Sequence, residues 1–391
     1  MKLRILTFNL FFDEVARFVR MKAVGRLVET TRPAVIGFQE VTRATLTMLK
    51  AQNWAKFYDC SVDTAPPFQE TYFVVLFSAL PVKSLETHPF ANTSMGRELV
   101  FMHIEPIPGK TLIVGTSHLE SLPKFAGPRV SQLKESLTLL RDRVNNGEND
   151  DAVTIGNKRP INENNTSVCM GAVFMGDTNL IRADMKLLDR RLAEIADLDV
   201  EFSKTGRAKC RTCGDPIDKG VVRVGKMMKE KVAGGKKKLL VRRKKKQLLG
   251  EEPDKDDGKE LDMATVGLPN GWKDLWLSVP GNTEENGYTF DGTRNTLVTS
   301  RSFRSRLDRM YFYSAPTEEA VKCVFDEIVI VGQEKIADGL WLSDHFGLLS
   351  TFVIREEDDK RDATKKSGSK KARRTELGSQ VGSTRSPVLI E

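Results

Sequence analysis

Short, mostly apolar runs recur along this chain, and each has about the length of one β-strand. They occupy residues 3–10, 34–39, 73–78, 98–104, 111–117, 168–175, 306–313, 326–331 and 347–354. Residues 16–30 and 130–144 instead carry apolar side chains at helical spacing. Consecutive strands mixed with strand–helix units predict an α/β (α+β) fold, a four-layer sandwich of two packed mixed β-sheets flanked by helices.

Several of these predicted strands end at a polar or ionisable side chain. The segments concerned are Thr7-Phe8-Asn9, Gln39-Glu40, Ser117-His118-Leu119-Glu120-Ser121, Gly176-Asp177-Thr178-Asn179 and Ser343-Asp344-His345. Asp308 lies within a predicted strand, where a buried carboxylate needs a partner. Because strand ends allow a rigid sheet to direct side chains into a shared cleft, we expect these residues to form one polar site.

Taken singly, these residues also have ordinary structural explanations. Asn9 is a common turn residue, and Glu40 could be a carboxylate at a helix N-terminus. Asp177 follows a glycine and would suit an Asx-turn. His118 and His345 are two of only four histidines, and an isolated histidine most often has a structural role. The hypothesis of a site therefore depends on the combination.

The combination satisfies the requirements of phosphodiester hydrolysis. That reaction needs a hard cation held by carboxylates, and a group that positions or deprotonates water. It also needs hydrogen-bond donors where charge grows on the phosphoryl oxygens, and a second carboxylate that orients a histidine. The chain has a candidate for every role, which predicts a hydrolase acting on phosphodiester bonds.

The ordered set of motifs resembles the endonuclease/exonuclease/phosphatase superfamily over residues 1–200 and 269–355. Gly176-Asp177-x-Asn179 and Ser343-Asp344-His345 are shared across that superfamily. Two longer motifs are more specific within the superfamily, and they resemble the tyrosyl-DNA phosphodiesterase 2 family, which releases topoisomerase II remnants from DNA. These motifs are Thr116-Ser117-His118-Leu119-Glu120-Ser121 and Gly176-Asp177-Thr178-Asn179-Leu180.

The resemblance implies a role for each candidate residue. Glu40 and Asp344 would hold Mg²⁺, for which Mn²⁺ can substitute. Asn9 and Asn179 would orient phosphate and water, and Asp177 would activate the attacking water. His118 and His345 would contact the scissile phosphate, and Asp308 would orient a histidine. The predicted substrate-binding residues are Tyr72, Ser121, Arg182, Phe290 and Leu307.

The chain departs from the family pattern at three positions. Phe11 stands where the family has an acidic residue in its first motif, and Asp13 is the nearest acid that could compensate. Ile181 replaces an arginine, which appears one residue later as Arg182. Phe290 replaces a tryptophan. Because these changes fall mainly among the expected substrate contacts, they affect the predicted substrate more than the predicted reaction.

Residues 203–267 interrupt the predicted catalytic domain, which comprises 1–202 and 268–355. Between 203 and 260 there are 19 Lys/Arg and 9 Asp/Glu, whereas the whole chain carries a net charge of +8. Cys210-x-x-Cys213 and the residues after it resemble the start of a zinc finger of the poly(ADP-ribose) polymerase type. Only two of the four ligands that zinc normally takes are evident, so we expect a degenerate finger without zinc. A disordered basic loop is the alternative, and in either case we expect the segment to contact nucleic acid.

Residues 356–391 form a polar, charged tail that we expect to be disordered. Its basic clusters, Lys360-Arg361 and Lys370-Lys371-Ala372-Arg373-Arg374, are typical of a bipartite nuclear import signal. They predict a nuclear protein with an additional cytoplasmic population. No apolar run approaches the ~20 residues that a membrane-spanning helix needs, so we expect no membrane span. We also expect a monomer.

Three functions remain open from the sequence. The first is a phosphodiesterase that removes tyrosyl or peptide adducts from DNA 5′ ends. The second is another hydrolase of the superfamily, such as an abasic-site endonuclease or a deadenylase. Thr178 disfavours the abasic-site endonucleases, which usually carry an apolar residue there. The third is a non-catalytic DNA-end binding protein, which the complete polar set disfavours.

Overall fold

The computed structural model describes residues 1–62, 71–146, 167–182, 262–316 and 321–356, with Asp184, Leu187 and four short strands between 198 and 226. Its α-helices are α1 (Arg17–Thr31), α2 (Arg43–Lys50) and α3 (Ala126–Asn146), and 3₁₀ turns lie at Trp54–Phe57 and Pro123–Phe125. The strands in chain order are β1 (Lys2–Asn9), β2 (Val35–Val41), β3 (Asp59–Cys60), β4 (Phe73–Ser78), β5 (Val82–Pro89), β6 (Glu98–Ile107), β7 (Lys110–His118), β8 (Val168–Asp177), β9 (Leu198–Phe202), β10 (Ala208–Lys209), β11 (Pro216–Ile217), β12 (Val222–Lys226), β13 (Trp272–Asp274), β14 (Phe290–Asp291), β15 (Arg304–Ser305), β16 (Asp308–Ser314), β17 (Val321–Val331), β18 (Lys335–Ala337), β19 (Leu340–Trp341) and β20 (Gly347–Glu356).

Twelve of the strands form two mixed six-stranded sheets. The order in the first is β17-β20-β1-β2-β4-β3, and in the second β13-β16-β8-β7-β6-β5. Each sheet has one parallel pair, β1 with β2 and β7 with β8, among antiparallel neighbours. The two packed mixed sheets predicted from the sequence are confirmed.

Three apolar cores separate four layers, because the central strands bury both faces. In β1, Leu3 and Ile5 belong to the core between the sheets, whereas Phe8 packs into a second core with α1 and α2. In β8, Met175 faces the first core and Phe174 a third core beneath α3. This alternation follows from the two-residue period of a strand. The layers are therefore helix, sheet, sheet and helix, as predicted.

Several elements of the structure were absent from the sequence prediction, and helix α2 and strand β5 are the longest of them. Helix α2 has only eight residues, and its start is stabilised by a capping box between Thr42 and Thr45. Strand β5 lies at a sheet edge and most of its side chains are polar, so it lacks the continuous apolar run of a buried strand. Short or edge elements carry weak hydrophobic signals, which explains both omissions.

The predicted insertion is only partly described. Strand β9, assigned to the catalytic domain, pairs with β12 inside residues 203–267. Strands β10 and β11 pair with each other, whereas Cys210 and Cys213 lie outside the described residues. Strand β20 includes Glu356, and the remainder of the predicted tail, 357–391, also lies outside them. None of the helices that the structure describes is long and apolar enough to span a membrane.

Candidate active site

The predicted site residues converge where the same edges of the two sheets meet. Strands β1 and β2 run parallel, as do β7 and β8, so their carboxyl ends emerge together. Strand β16 runs antiparallel to β8 and begins at this edge with Asp308, and Ser343-Asp344-His345 leads into β20 at the same edge. The polar ends of distant strands therefore surround one cleft.

Strand register sets three of the side chains in a row. His118 of β7 is paired with Asp177 of β8, and Asp177 is paired in turn with Asp308 of β16. Asn9, at the end of β1 in the other sheet, donates a hydrogen bond from Nδ2 to Asp177 Oδ2 at 2.9 Å. The row therefore belongs to one sheet, and the amide reaches it from the opposite sheet.

The two carboxylate oxygens of Asp177 have separate partners. Oδ1 accepts a hydrogen bond from the Asn179 main-chain N–H at 3.0 Å, which is the Asx-turn anticipated from the sequence. Oδ2 accepts from Asn9 and lies 3.3 Å from His118 Nε2 and 3.7 Å from His345 Nε2. The structural and functional explanations of Asp177 are therefore compatible, because each uses a different oxygen.

Backbone conformation directs Asp177 and Glu40 into the cleft. Gly176 has φ of 145°, and a Cβ there would lie 2.0 Å from the Ser117 carbonyl oxygen, so only glycine allows β7 and β8 to pair at this point. The pairing of β2 with β4 shifts between Phe38 and Val41, and Glu40 in this bulge has a left-handed φ of 55°. Bulges of this kind redirect a side chain next to an active site.

His345 is oriented by Asp308. Its Nδ1 lies 2.7 Å from Asp308 Oδ2, and the main-chain N–H of Asp308 donates to Thr289 Oγ1. Burial disfavours the charged imidazole, but Asp308 and Asp177 outweigh burial and hold the pKa of His345 well above its usual value. His345 is therefore an imidazolium at neutral pH, with Nε2–H directed at the cleft.

His118 differs from His345 in charge. Burial, reinforced by the nearby Arg97, lowers the pKa of His118 to about 3. Its contact with Asp177 is thus between a neutral imidazole and a carboxylate, not an ion pair. The site presents one charged and one neutral histidine to the same carboxylate oxygen.

The donor atoms present fit a hard divalent cation. One oxygen or nitrogen from each of Glu40, His118 and Asp177 lies within 4.8 Å of the others, and so does one from each of Asp177, Asp308 and His345. Burial, together with the charge of Asp344, raises the pKa of Glu40 to about 7. A cation would relieve this crowding of carboxylates, and oxygen donors are what Mg²⁺ prefers.

The two other acids considered as ligands occupy different surroundings. Asp344 is close enough to raise the pKa of Glu40, yet it belongs to neither group of converging donor atoms. Asp13 accepts a hydrogen bond from the Val15 N–H and is likewise outside both groups. Of the three acids Glu40, Asp344 and Asp13, Glu40 is therefore the strongest candidate ligand, and the role of Asp344 stays a prediction.

The predicted substrate-binding residues divide into two sets. Tyr72 stacks on His118 with ring centroids 5.7 Å apart, and Phe290 meets His345 edge to face at 4.9 Å. The Leu307 carbonyl accepts both the main-chain N–H and the hydroxyl of Thr178, which supports the loop after Asp177. In the second set, Ser121 contacts Met95, and Arg182 forms an exposed ion pair with Glu285. These two side chains do not contact the row formed by His118, Asp177 and Asp308.

The sequence analysis did not identify Arg97 as a site residue. Its guanidinium lies over the Tyr72 ring at 5.2 Å and donates to the Tyr72 hydroxyl at 3.1 Å. The loop before it is held by buried Glu120, whose carboxylate accepts hydrogen bonds from Thr93 and Ser94. Arg97 immediately precedes an apolar strand, so a search of strand beginnings as well as strand ends would have found it.

We predict that the Asp308→Asn substitution will lower the pKa of His345 by removing the carboxylate that stabilises its imidazolium. NMR titration of the histidine side chains should show the midpoint of the His345 titration at a lower pH than in the wild type. The signal of His88, which pairs with Glu135 away from the site, should be unaffected and serves as an internal reference. An unchanged His345 titration would contradict the assigned pairing.

Comparison with known proteins agrees with this geometry. The model of the Endonuclease/Exonuclease/phosphatase family matches residues 6–345. Tyrosyl-DNA phosphodiesterase 2 of Homo sapiens is 23% identical over 339 residues, covering 86% of this chain and 63% of the human protein. The Danio rerio protein of the same name is 35% identical over 96 residues, covering 24% of this chain and 25% of that protein. This chain therefore spans less than two thirds of the length of these relatives.

Solved structures share the fold at low sequence identity. A crystal structure of D. rerio TDP2 complexed with single strand DNA product has a TM-score of 0.56 and 20% identity, covering 90% of this chain and 99% of that one. TDP2 from C. elegans has a TM-score of 0.55 and 17% identity, covering 90% and 75%. Together with the match over residues 6–345, the sheet topology and the convergent polar row show that the chain belongs to the endonuclease/exonuclease/phosphatase family.

Proposed function

We propose that the protein is a divalent-metal-dependent phosphodiesterase that hydrolyses 5′-phosphotyrosyl bonds at DNA ends. The observation that carries this proposal is the convergence of Asn9, His118 and His345 on one oxygen of Asp177, beside Glu40. The similarity to tyrosyl-DNA phosphodiesterase 2 supports the substrate. The Mg²⁺ or Mn²⁺ requirement follows from the oxygen donors around Glu40.

Asp177 is suited to accept the proton of the attacking water. Burial alone would favour its protonated form, but the neighbouring histidines and the hydrogen bonds from Asn179 and Asn9 keep its pKa low. The carboxylate is therefore ionised at neutral pH, and Oδ2 faces the cleft. Asn9, held at 2.9 Å, fixes the direction of this oxygen, while Asn179 is held by Leu119 and Asp177 near the same point.

The two histidines are suited to complementary tasks at the phosphoryl group. The imidazolium of His345 offers an N–H to an oxygen that gains negative charge in the transition state, and Asp308 keeps that ring both charged and oriented. His118 lies on the side of Asp177 away from Asp308, and its imidazole is neutral at neutral pH. A cation held by Glu40 would supply charge neutralisation at the phosphate.

We predict that the purified protein will release tyrosine from a 5′-phosphotyrosyl oligonucleotide in preference to cleaving an abasic duplex or shortening a polyadenylate. Asp177→Asn preserves the shape of the side chain but removes the base, and loss of a general base typically costs about 10²–10⁴ in rate. Product formation measured by gel electrophoresis tests both statements. Cleavage of only the abasic duplex or only polyadenylate would favour the second class of function, whereas normal turnover by Asp177→Asn would contradict its role.

We predict that activity requires Mg²⁺ or Mn²⁺ and that Glu40→Gln needs a higher metal concentration. Since the pKa of Glu40 is raised to about 7, a proton competes with the cation below that pH. The wild-type metal requirement should therefore fall as pH rises through about 7, and the variant should lose this dependence. Activity measured against metal concentration at several pH values tests this, and full turnover in excess chelator would refute it.

We also propose that residues 203–267 bind nucleic acid. Within this segment, residues 203–260 contain 19 Lys/Arg and 9 Asp/Glu. This positive charge would attract the proposed substrate, which is a polyanion. A plot of the logarithm of the binding constant against the logarithm of the salt concentration has a negative slope. Each phosphate that the segment neutralises would steepen this slope by about 0.7 for single strands or about 0.9 for duplex. We predict that replacing this segment by a Gly/Ser linker will flatten the salt dependence of DNA binding, measured by fluorescence anisotropy. An unaltered slope would count against the proposal.

The nuclear location, the cytoplasmic population and the monomeric state stay predictions. The basic clusters that motivate the first lie in residues 357–391, outside the described part of the chain. The absence of zinc from the insertion likewise stays a prediction, since Cys210 and Cys213 are outside it.

A further inference from the structure

Phe12 extends the aromatic surface of the site outward. Its ring stacks on Tyr72 with centroids 5.1 Å apart and planes 25° apart, and Tyr72 stacks on His118 at 5.7 Å and 24°. Phe12 is 45% exposed. Three nearly parallel rings thus lead from a histidine at the cleft to solvent.

The backbone around Phe12 is held firmly. The Phe12 N–H donates to Glu40 Oε2 at 3.0 Å, which ties this residue to the candidate metal ligand. Phe11 before it adopts a left-handed φ of 57°, a conformation that is strained for a bulky side chain. The surrounding fold must therefore compensate for this turn.

Buried Arg20 provides that compensation. Its guanidinium donates hydrogen bonds to the carbonyl oxygens of four residues in this turn, at 2.7, 3.1, 2.6 and 2.8 Å; they are Leu10, Phe11, Asp13 and Val15. The guanidinium also lies over the Phe11 ring at 5.2 Å. Phe12 is consequently positioned before any ligand arrives, which lowers the entropic cost of using it for binding.

Exposure alone would not single out Phe12, because scattered exposed apolar side chains are normal. Phe18, for example, is 58% exposed, and Lys22 lies over its ring. Phe12 differs from Phe18 because its main-chain N–H donates a hydrogen bond to Glu40 and its ring stacks on Tyr72, which in turn stacks on His118. Among the described residues, its recorded ring contacts are with Tyr72 and Phe11, and the Phe11 ring meets it edge to face. Within the part of the chain that the structure describes, the other face of the Phe12 ring has no aromatic neighbour, and the side chain is 45% exposed.

We propose that the face of the Phe12 ring away from Tyr72 stacks on a planar ring attached next to the scissile phosphate, so that Phe12 helps to determine substrate specificity. The inference deepens the proposed function and rests on it. Two groups of the proposed substrate have this chemistry: the base of the terminal nucleotide and the tyrosyl ring of the leaving group. Stacking of a base on an aromatic side chain contributes roughly 5- to 150-fold in affinity.

The test compares Phe12→Leu with Phe18→Leu, a matched change of another exposed phenylalanine. Both are assayed on 5′-phosphotyrosyl oligonucleotides whose first nucleotide carries a base or is abasic. Binding of the 5′-phosphorylated product, with and without that base, is measured in parallel by anisotropy. We expect Phe12→Leu to lower kcat/KM about 5- to 30-fold on the base-containing substrate, since leucine keeps an apolar contact but cannot stack. Phe18→Leu should match the wild type.

The substrates distinguish the two sources of the ring. A loss confined to the base-containing molecules, in turnover and in product binding, identifies the nucleobase. An equal loss on both substrates, with product binding unchanged, identifies the tyrosyl ring. Equal behaviour of Phe12→Leu and Phe18→Leu in every assay would overturn the proposal. So would a higher Mg²⁺ requirement in Phe12→Leu, because the effect would then act through Glu40.

The binding measurement also separates this inference from the proposed function. If the wild type shows no turnover of phosphotyrosyl substrate, the proposed function fails, but weaker binding of the phosphorylated oligonucleotide by Phe12→Leu would still support base stacking. If turnover is normal and Phe12→Leu is indistinguishable from the control, only the inference about Phe12 fails.

Discussion

The antiparallel pairing of β16 with β8 is the constraint on which the site depends. It places Asp308 directly opposite Asp177, and the parallel pairing of β7 with β8 places His118 on the other side. A shift of one residue in either register would turn the side chain concerned to the opposite face of the sheet. Gly176 permits the close approach of β7 that this arrangement requires. The geometry of this row of side chains is thus a property of the sheet and not of flexible loops.

Buried charge gives the row its chemical character. Asp177, Asp308, Asp344 and Glu40 crowd around one imidazolium, and burial raises the pKa of Asp308, Asp344 and Glu40, whereas that of Asp177 is held low. One histidine cannot balance several carboxylates in a medium of low dielectric. The arrangement therefore favours a bound cation, and the low pKa of Asp177 places its Oδ2 in the position of a base. Electrostatic strain and proposed catalytic function have the same cause.

Polar contacts between the sheets keep the two halves of the site aligned. Asn9 reaches from the first sheet to Asp177 in the second, and the Gln39 side chain donates to Thr116 Oγ1 at 2.9 Å. Buried Arg20 and Glu120 act similarly on the loops that carry Phe12 and Arg97. Buried hydrogen bonds of this kind resist rearrangement, because each broken bond leaves a costly unpaired group. The loop that carries Phe12, and with it the stack of Phe12 on Tyr72, is consequently held in place by these buried hydrogen bonds.

The sequence by itself determined most strands of the two sheets, the two principal helices and the identity of the polar residues at the strand ends, because apolar periodicity and local motifs are short-range signals. It could not decide which oxygen of Asp177 forms the turn and which faces the cleft, nor that His118 is neutral while His345 is charged. Arg97 and Phe12 also became recognisable only through their contacts with Tyr72. Register between segments more than a hundred residues apart, and the burial that shifts each pKa, arise only when the sheets assemble. Tertiary structure therefore decided the chemistry of residues that the sequence had already supplied.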